Sequence, residues 1–301
     1  MKRFEDICKM SQSQLKTYLT KYLKSKYNDV TSSDGFIYAK GTFPVLLVAH
    51  MDTVHKHQVK QIVYSDKLNI ISSPQGIGGD DRCGVYMIMQ IVKDYNCSVL
   101  FTEDEEIGGI GASKFVKALR KKEIEIAKVN YMIELDRKGE KDAVFYECDN
   151  PEFEQFIMQD DDWQIAYGSY TDIVELEPEI EVAGVNFSCG YYKPHTTDEY
   201  VVISEMKANI NKVKKLLART DQDKEFEYIE AENGYYGYSY GYGYDGYGYE
   251  LKAYYIVAKA KHGRYIEEEY YAMSEAEAIG LFMENYPNIC YNDLVDVFCE
   301  E

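Results

Sequence analysis

The segment PVLLVAH (44–50) runs through six successive residues without a polar side chain before it reaches His50. An alternating strand can leave one face in water, but this segment can leave neither. It needs cover on both sides, which crossover helices packed on a parallel sheet supply. CSVLFTE (97–103), VNYMIEL (129–135) and GVNFSCG (184–190) have the same character, and GFIYAKG (35–41) reads as a further strand. Helical segments separate them: SQSQLKTYLTKYLKSK (11–26), CGVYMIMQIVKDY (83–95), GASKFVKALRKK (111–122), PEFEQFIM (151–158) and VVISEMKANINKVKKLLAR (201–219). In the first of these, Leu15, Tyr18, Leu19, Tyr22 and Leu23 fall at helical spacing. This alternation predicts an α/β domain over residues 1–220, with a central mostly parallel mixed sheet flanked by helices.

Past residue 220 the character changes. Residues 234–249 hold eight Tyr and six Gly in sixteen positions, a density of glycine that disfavours a packed element, so 221–250 reads as a Tyr/Gly-rich linker. Residues 251–301 read strand, strand, helix, strand, a small α+β domain whose helix opens on a Ser274–Glu277 capping pair. The whole chain carries a net charge of −19, which opposes binding to nucleic acid or to anionic membranes. Its longest apolar stretch, Phe43 to Ala49, is far short of the roughly 20 residues a spanning helix needs. Seven dispersed cysteines without a CxxC pair, behind a charged and polar N-terminus, read as reduced thiols in a cytoplasmic protein.

Five short islands hold the acids and histidines able to do chemistry: HMD (50–52), GGDDRCG (78–84), TEDEEIG (102–108), ELDRKG (134–139) and KPHTTDEY (193–200). Taken singly, each has an ordinary reading as a strand-end histidine, a helix cap, a solvated acidic loop or a surface histidine. Four of them, however, follow or end an apolar strand, and ligands of open α/β sheets bind beyond the carboxyl ends of strands. Imidazole mixed with carboxylate suits zinc and similar divalent ions, whereas all-oxygen sets suit magnesium or calcium. Two such ions held close together need a shared carboxylate to offset their repulsion.

The stretches VLLVAHMDTV, GIGGDDRCGV, LFTEDEEIGGIGASKF, YMIELDRKG and GYYKPHTTDEYV, in this order, resemble the dinuclear zinc exopeptidases, a superfamily that includes tripeptide and leucyl-type aminopeptidases. The resemblance covers roughly residues 5–218. It implies that His50 and Asp136 bind one metal and that His195 and Glu106 bind the other. Asp80 would bridge the two, with its neighbour Asp81 as the alternative. It further implies Glu105 as the general base and Asp52 as the group that orients the imidazole of His50. Asp172, in GSYTDI, would receive the substrate amine, its alternative being a helix cap or turn. The cofactors implied are two divalent ions, zinc above all, with cobalt or manganese also able to occupy such sites. Only 29 residues separate His50 from Asp80 and 58 separate Asp136 from His195, which leaves no room for a lid domain and matches the compact branch in which aminopeptidases are common.

The expected function is therefore a metal-dependent exopeptidase, an aminopeptidase acting on short peptides. Two other readings remain open at this point. One is an amide deacylase or carboxypeptidase-type hydrolase built on the same dimetal site. The other is a binding or assembly protein that self-associates or holds a protein partner through residues 234–301.

Overall fold

A computed structural model describes residues 2–168, 170–231, 252–259, 265–272 and 294–299, with residues 282 and 286. The chain divides into two compact units, Met1–Tyr236 and Gly237–Glu301.

The first unit opens with α1 (Lys2–Cys8) and α2 (Gln12–Lys24). Ser11 and Gln14 form a reciprocal capping box at the start of α2, whose Leu15, Leu19 and Leu23 are buried. The expected apolar runs all form strands: β2 (Phe36–Ala39), β3 (Phe43–His50), β6 (Cys97–Thr102), β7 (Tyr131–Arg137) and β10 (Gly184–Ser188). With β1 (Val30–Ser33), β8 (Asp142–Val144) and β9 (Gln164–Ile165) they make one eight-stranded sheet in the order β1-β2-β6-β3-β7-β10-β8-β9. The central strands β6, β3, β7 and β10 run parallel, whereas β2 and β8 join antiparallel, so the sheet is mixed with a parallel centre. Helices α3 (Gly79–Ile91), α4 (Ile110–Arg120), α5 (Pro151–Met158), α6 (Asp172–Ile180) and α7 (Ile203–Ala218) complete the large elements. The sheet separates the apolar core into two clusters, one containing Leu47, Val85, Met206 and Val213, the other Leu46, Val48, Phe115 and Leu176. Successive residues of β3 thus pack into opposite clusters, as a strand covered on both faces requires.

A second sheet was not foreseen. β4 (Val63–Ser65), β5 (Ile70–Ser72), β11 (Tyr191–Tyr192) and β12 (Tyr200–Val202) pair antiparallel in the order β11-β12-β5-β4. Each strand has only two or three residues, too few to show a period in the sequence. The pairing Tyr200↔Ser72 joins segments that are far apart in the chain.

The expected linker start at residue 221 is corrected. Phe226 is buried and its ring lies 5.0–6.0 Å from those of Phe156, Phe153 and Tyr131. Backbone bonds from Phe226 to Asn130 and from Ala231 to Glu147 carry the chain along the first unit as far as residue 231. An aromatic anchor outweighs the polar composition around it. The Tyr/Gly-rich residues 234–249 lie outside the described residues, as does nearly all of the helix expected over 274–286.

In the second unit, β13 (Lys252–Lys259), β14 (Tyr265–Ala272) and β15 (Leu294–Cys299) form an antiparallel sheet in the order β14-β13-β15. Ile256 and Ala258 are fully buried. No helix among the described residues is long and apolar enough to cross a membrane.

Candidate active site

The carboxyl ends of β3, β6 and β7 lie side by side, and the functional side chains leave from there. His50 is the last residue of β3 and is completely buried. Its Nδ1 donates to Asp52 Oδ1 at 3.1 Å, since an ionised Asp52 can only accept. Asp52 also accepts the N–H groups of Glu105 and Glu106, both at 3.1 Å. One carboxylate therefore orients the imidazole and holds the start of the acidic loop after β6.

With Nδ1 engaged, His50 Nε2 faces the open side, 3.1 Å from Asp80 Oδ1 and 3.5 Å from Asp136 Oδ1. His195 Nε2 lies 3.3 Å from the other oxygen of Asp80 and 3.1 Å from Glu106 Oε2. Asp80 thus presents one oxygen to each imidazole. Asp81 is turned elsewhere: it accepts Gly84 N–H at 2.8 Å and His50 N–H at 3.3 Å. Backbone angles make the difference. Asp80 (φ −83°, ψ 105°) and Asp81 (φ −114°, ψ 46°) precede the regular turns of α3, across a cis peptide, and Gly78 ahead of them is left-handed at φ 65°.

Asp136 is fixed from the outside. Tyr191 Oη and Thr171 Oγ1 each donate to it at 3.2 Å, and Asn186 bonds both its N–H and its carbonyl. His195 is delivered by the small sheet rather than by a strand of the large one, in the loop between β11 and β12. Its side chain is 57% exposed against 1% for His50, so one imidazole is a fixed wall and the other lies at the mouth.

The run Glu103–Glu106 is not one solvated loop. Glu103 pairs with Lys16 of α2 and accepts Gly35 N–H at 3.0 Å. Asp104 accepts from Gln12 of α2 at 3.0 Å. These two acids mount the loop, while Glu105 and Glu106 face the centre. Glu106 Oε1 is buried without a hydrogen-bond partner.

The electrostatics follow from crowding. Burial and the nearby carboxylates of Asp136, Asp172 and Glu106 outweigh the attraction of His50 and push Glu105 up to about 9. Burial and Asp80 raise Asp136 to about 7. Burial disfavours the ionised form of Asp80 too, yet hydrogen bonds from His195 and His50 hold it well below the carboxylate range. The same bonds, from Asp80 and Glu106, raise His195 to about 10. Burial opposes protonation of His50, but Asp136, Asp52 and Asp80 overcome it. The protein itself draws positive charge into this cleft.

Whether a metal fits can be judged from donor spacing. An ion bonded tetrahedrally to nitrogen and oxygen at about 2.0–2.1 Å holds neighbouring donors about 3.3–3.5 Å apart. The four imidazole–carboxylate separations here are 3.1–3.5 Å, and the donors of His50, Asp80 and Glu106, like those of His50, Asp81 and Asp136, lie within 4.8 Å of one another. The donor set fits.

Asp172 lies at the first turn of α6 and is fully buried, its Oδ2 accepting from Thr102 and its Oδ1 unpartnered. Burial foremost raises it to about 6. Three residues escaped the sequence reading. Glu134, fully buried on β7, keeps one oxygen unpartnered, and its signal was a lone charge inside an apolar run. Glu199 and His55 meet behind Asp80; their signal was the density of glycine at 76, 78 and 79, where backbone must be approached closely.

A doubly covered sheet and the small sheet beside it thus bring two imidazoles to opposite oxygens of one carboxylate. Residues 38–171 match the family model for Peptidase family M28. The matched stretch includes His50, Asp80, Glu105, Glu106 and Asp136 and agrees with a metallopeptidase. Among solved structures, aminopeptidase PepT from Bacillus cereus aligns with a TM-score of 0.57 at 14% identity, over 72% of this chain and 96% of that one. A tripeptidase from Staphylococcus aureus gives 0.56 at 14% identity, over 72% and 97%. An aminopeptidase from the archaeon Desulfurococcus kamchatkensis gives 0.57 at 12% identity, over 74% and 95%. At these identities the likeness is one of fold. No curated protein matches the chain.

Proposed function

We propose that this protein is an aminopeptidase that removes residues from the N-termini of short peptides with the help of two divalent ions. The observation that carries the reading is Asp80, whose two oxygens face His50 and His195 at 3.1 and 3.3 Å. In this assignment His50 and Asp136 would hold one ion, His195 and Glu106 the other, and Asp80 would serve both. Zinc suits the mixed nitrogen and oxygen donors, and cobalt or manganese can replace it. When bound, the ions polarise the scissile carbonyl and lower the pKa of water.

The residues of the chain supply the rest. Glu105 takes a proton from the attacking water and returns it to the leaving amine. The upward push on its pKa comes from burial first and from neighbouring carboxylates after it, and positive charge placed among them acts in the opposite sense. Asp52 fixes the tautomer of His50 and the position of Glu105 together. Asp172, with its unpartnered oxygen, is assigned to the free amine of the substrate. Cys8, Cys83, Cys97, Cys148 and Cys189 are buried and free, which supports a reducing, cytoplasmic setting. The membrane and nucleic-acid readings stay disfavoured by charge. Self-association through residues 234–301 is an accessory possibility of the second unit, separate from this site.

The test is hydrolysis of di- and tripeptides, with free or acetylated N-termini, by zinc-loaded protein. Cleavage confined to free amines is expected. Equal cleavage of acetylated peptides would point to a deacylase or carboxypeptidase on the same centre.

A further inference from the structure

We propose that Glu199, braced by His55, is the positioning residue that sets Asp80 between its two imidazoles. This rests on the metal centre proposed above. Glu199 is completely buried, and its oxygens reach three donors. Oε1 accepts the N–H of Asp80 at 2.9 Å, and Oε2 accepts that of Gly78 at 2.8 Å. His55 Nε2 lies 2.8 Å from the same Oε2.

These contacts tie together the three segments that must agree for the centre to form. His55 belongs to the loop that leaves β3 after His50. Gly78 and Asp80 belong to the turn into α3. Glu199 lies four residues beyond His195 and directly ahead of β12, whose Tyr200 pairs with Ser72 just upstream of the glycine turn. The turn is shaped to admit the carboxylate. A Cβ on Gly79 would stand 2.8 Å from Tyr191 Cβ, 2.9 Å from Val201 and 3.1 Å from Glu199 Oε1. A Cβ on Gly76 would fall 2.2–2.5 Å from the ring of His55. Tyr191, packed against Gly79, is the same residue that donates to Asp136. The backbone of Asp80 is therefore clamped from behind while its side chain is left free to face forward.

A carboxylate is the side chain this position needs. It offers acceptors on both oxygens, which two backbone N–H groups require. An amide offers one acceptor and turns a donor toward another donor. Partners of this kind behind a ligand typically change metal affinity or activity by about 10–100-fold when replaced.

The experiment measures zinc affinity by competition with a chromogenic chelator on the full chain, with thermal melting of the metal-free protein alongside. Glu199→Gln is expected to bind zinc about 10–100-fold more weakly. At saturating zinc its kcat should recover with KM unchanged, and Glu199→Asp should recover part of the affinity. His55→Gln keeps both backbone bonds, so a loss of a few-fold in the same direction is expected. A folded Glu199→Gln with wild-type zinc affinity overturns the proposal. Should that variant not fold, unchanged affinity in His55→Gln overturns it instead. If the unsubstituted protein binds no zinc, the metal-centre reading itself fails; if it binds zinc and the variants bind it as tightly, only the role of Glu199 falls.

Discussion

Asp80 at the sheet edge and Glu177 on α6 are both buried carboxyls, and burial drives both toward the neutral form. They end in opposite states. Glu177 has one backbone donor, Gly184 N–H at 2.7 Å, and one oxygen with no partner, and its pKa stands well above the ordinary value. Asp80 has an imidazole at each oxygen and is held ionised. Depth in the core does not separate a structural acid from a working one; the positive partners gathered around it do. At the sheet edge the chain assembles charge, and along α6 it tolerates a proton.

Glu105→Gln should show the largest effect. Loss of a general base costs about 100- to 10,000-fold in kcat, while zinc bound per chain stays as in the wild type. Loss of turnover together with zinc would make Glu105 a ligand and would blur the division of labour with Glu106. Asp80→Asn comes next. It should abolish stoichiometric binding of the second ion, read by elemental analysis after dialysis, whereas Asp81→Asn should leave the stoichiometry intact. If Asp81 proves the more sensitive, the roles of the adjacent pair are reversed.

Chelation tests the same contrast through stability. A ligand present at a hundred times its dissociation constant stabilises by about 2.7 kcal/mol, so stripping the metal should lower the melting temperature measurably. The shift should be smaller in Asp80→Asn, which keeps only one ion. Asp172→Asn should raise KM for free-amine peptides with a smaller change in kcat, and an unaltered KM would leave Asp172 with a purely structural role.

The smallest effect belongs to Glu177→Gln. Its folded pKa lies above the unfolded 4.5, so the folded state binds the proton more tightly. That preference stabilises fully below about pH 4.5 and is lost as pH rises toward the folded value. The glutamine variant should therefore gain in melting temperature over the wild type at pH 7–8, and the gain should shrink at pH 4. A gain independent of pH would mean that Glu177 is ionised in the fold.

What the sequence could reveal depended on how local its cause was. β3, β6, β7 and β10 were readable because each is apolar on both faces over several residues. The strands β4, β5, β11 and β12 were not, because two or three residues show no period and their partners come from distant segments. That gap also hid how His195 arrives, carried by a hairpin of the small sheet. The choice between Asp80 and Asp81 was invisible because backbone angles at a turn decide it, and both residues are the same type. Glu199 was passed over for a related reason: two of its three partners are main-chain amides, which leave no trace in a side-chain pattern. The start of the linker was misplaced because one residue, Phe226, outweighs the polar composition around it.

The mounting of the acidic loop on α2, through Lys16 to Glu103 and Gln12 to Asp104, reaches beyond the site. Glu105 and Glu106, the proposed base and metal ligand, sit on a shelf whose bracket is made some ninety residues earlier in the chain. In practical terms, trimming the N-terminal helices or fusing a rigid partner close to Gln12 amounts to an active-site mutation, and should be judged by turnover rather than by yield of folded protein.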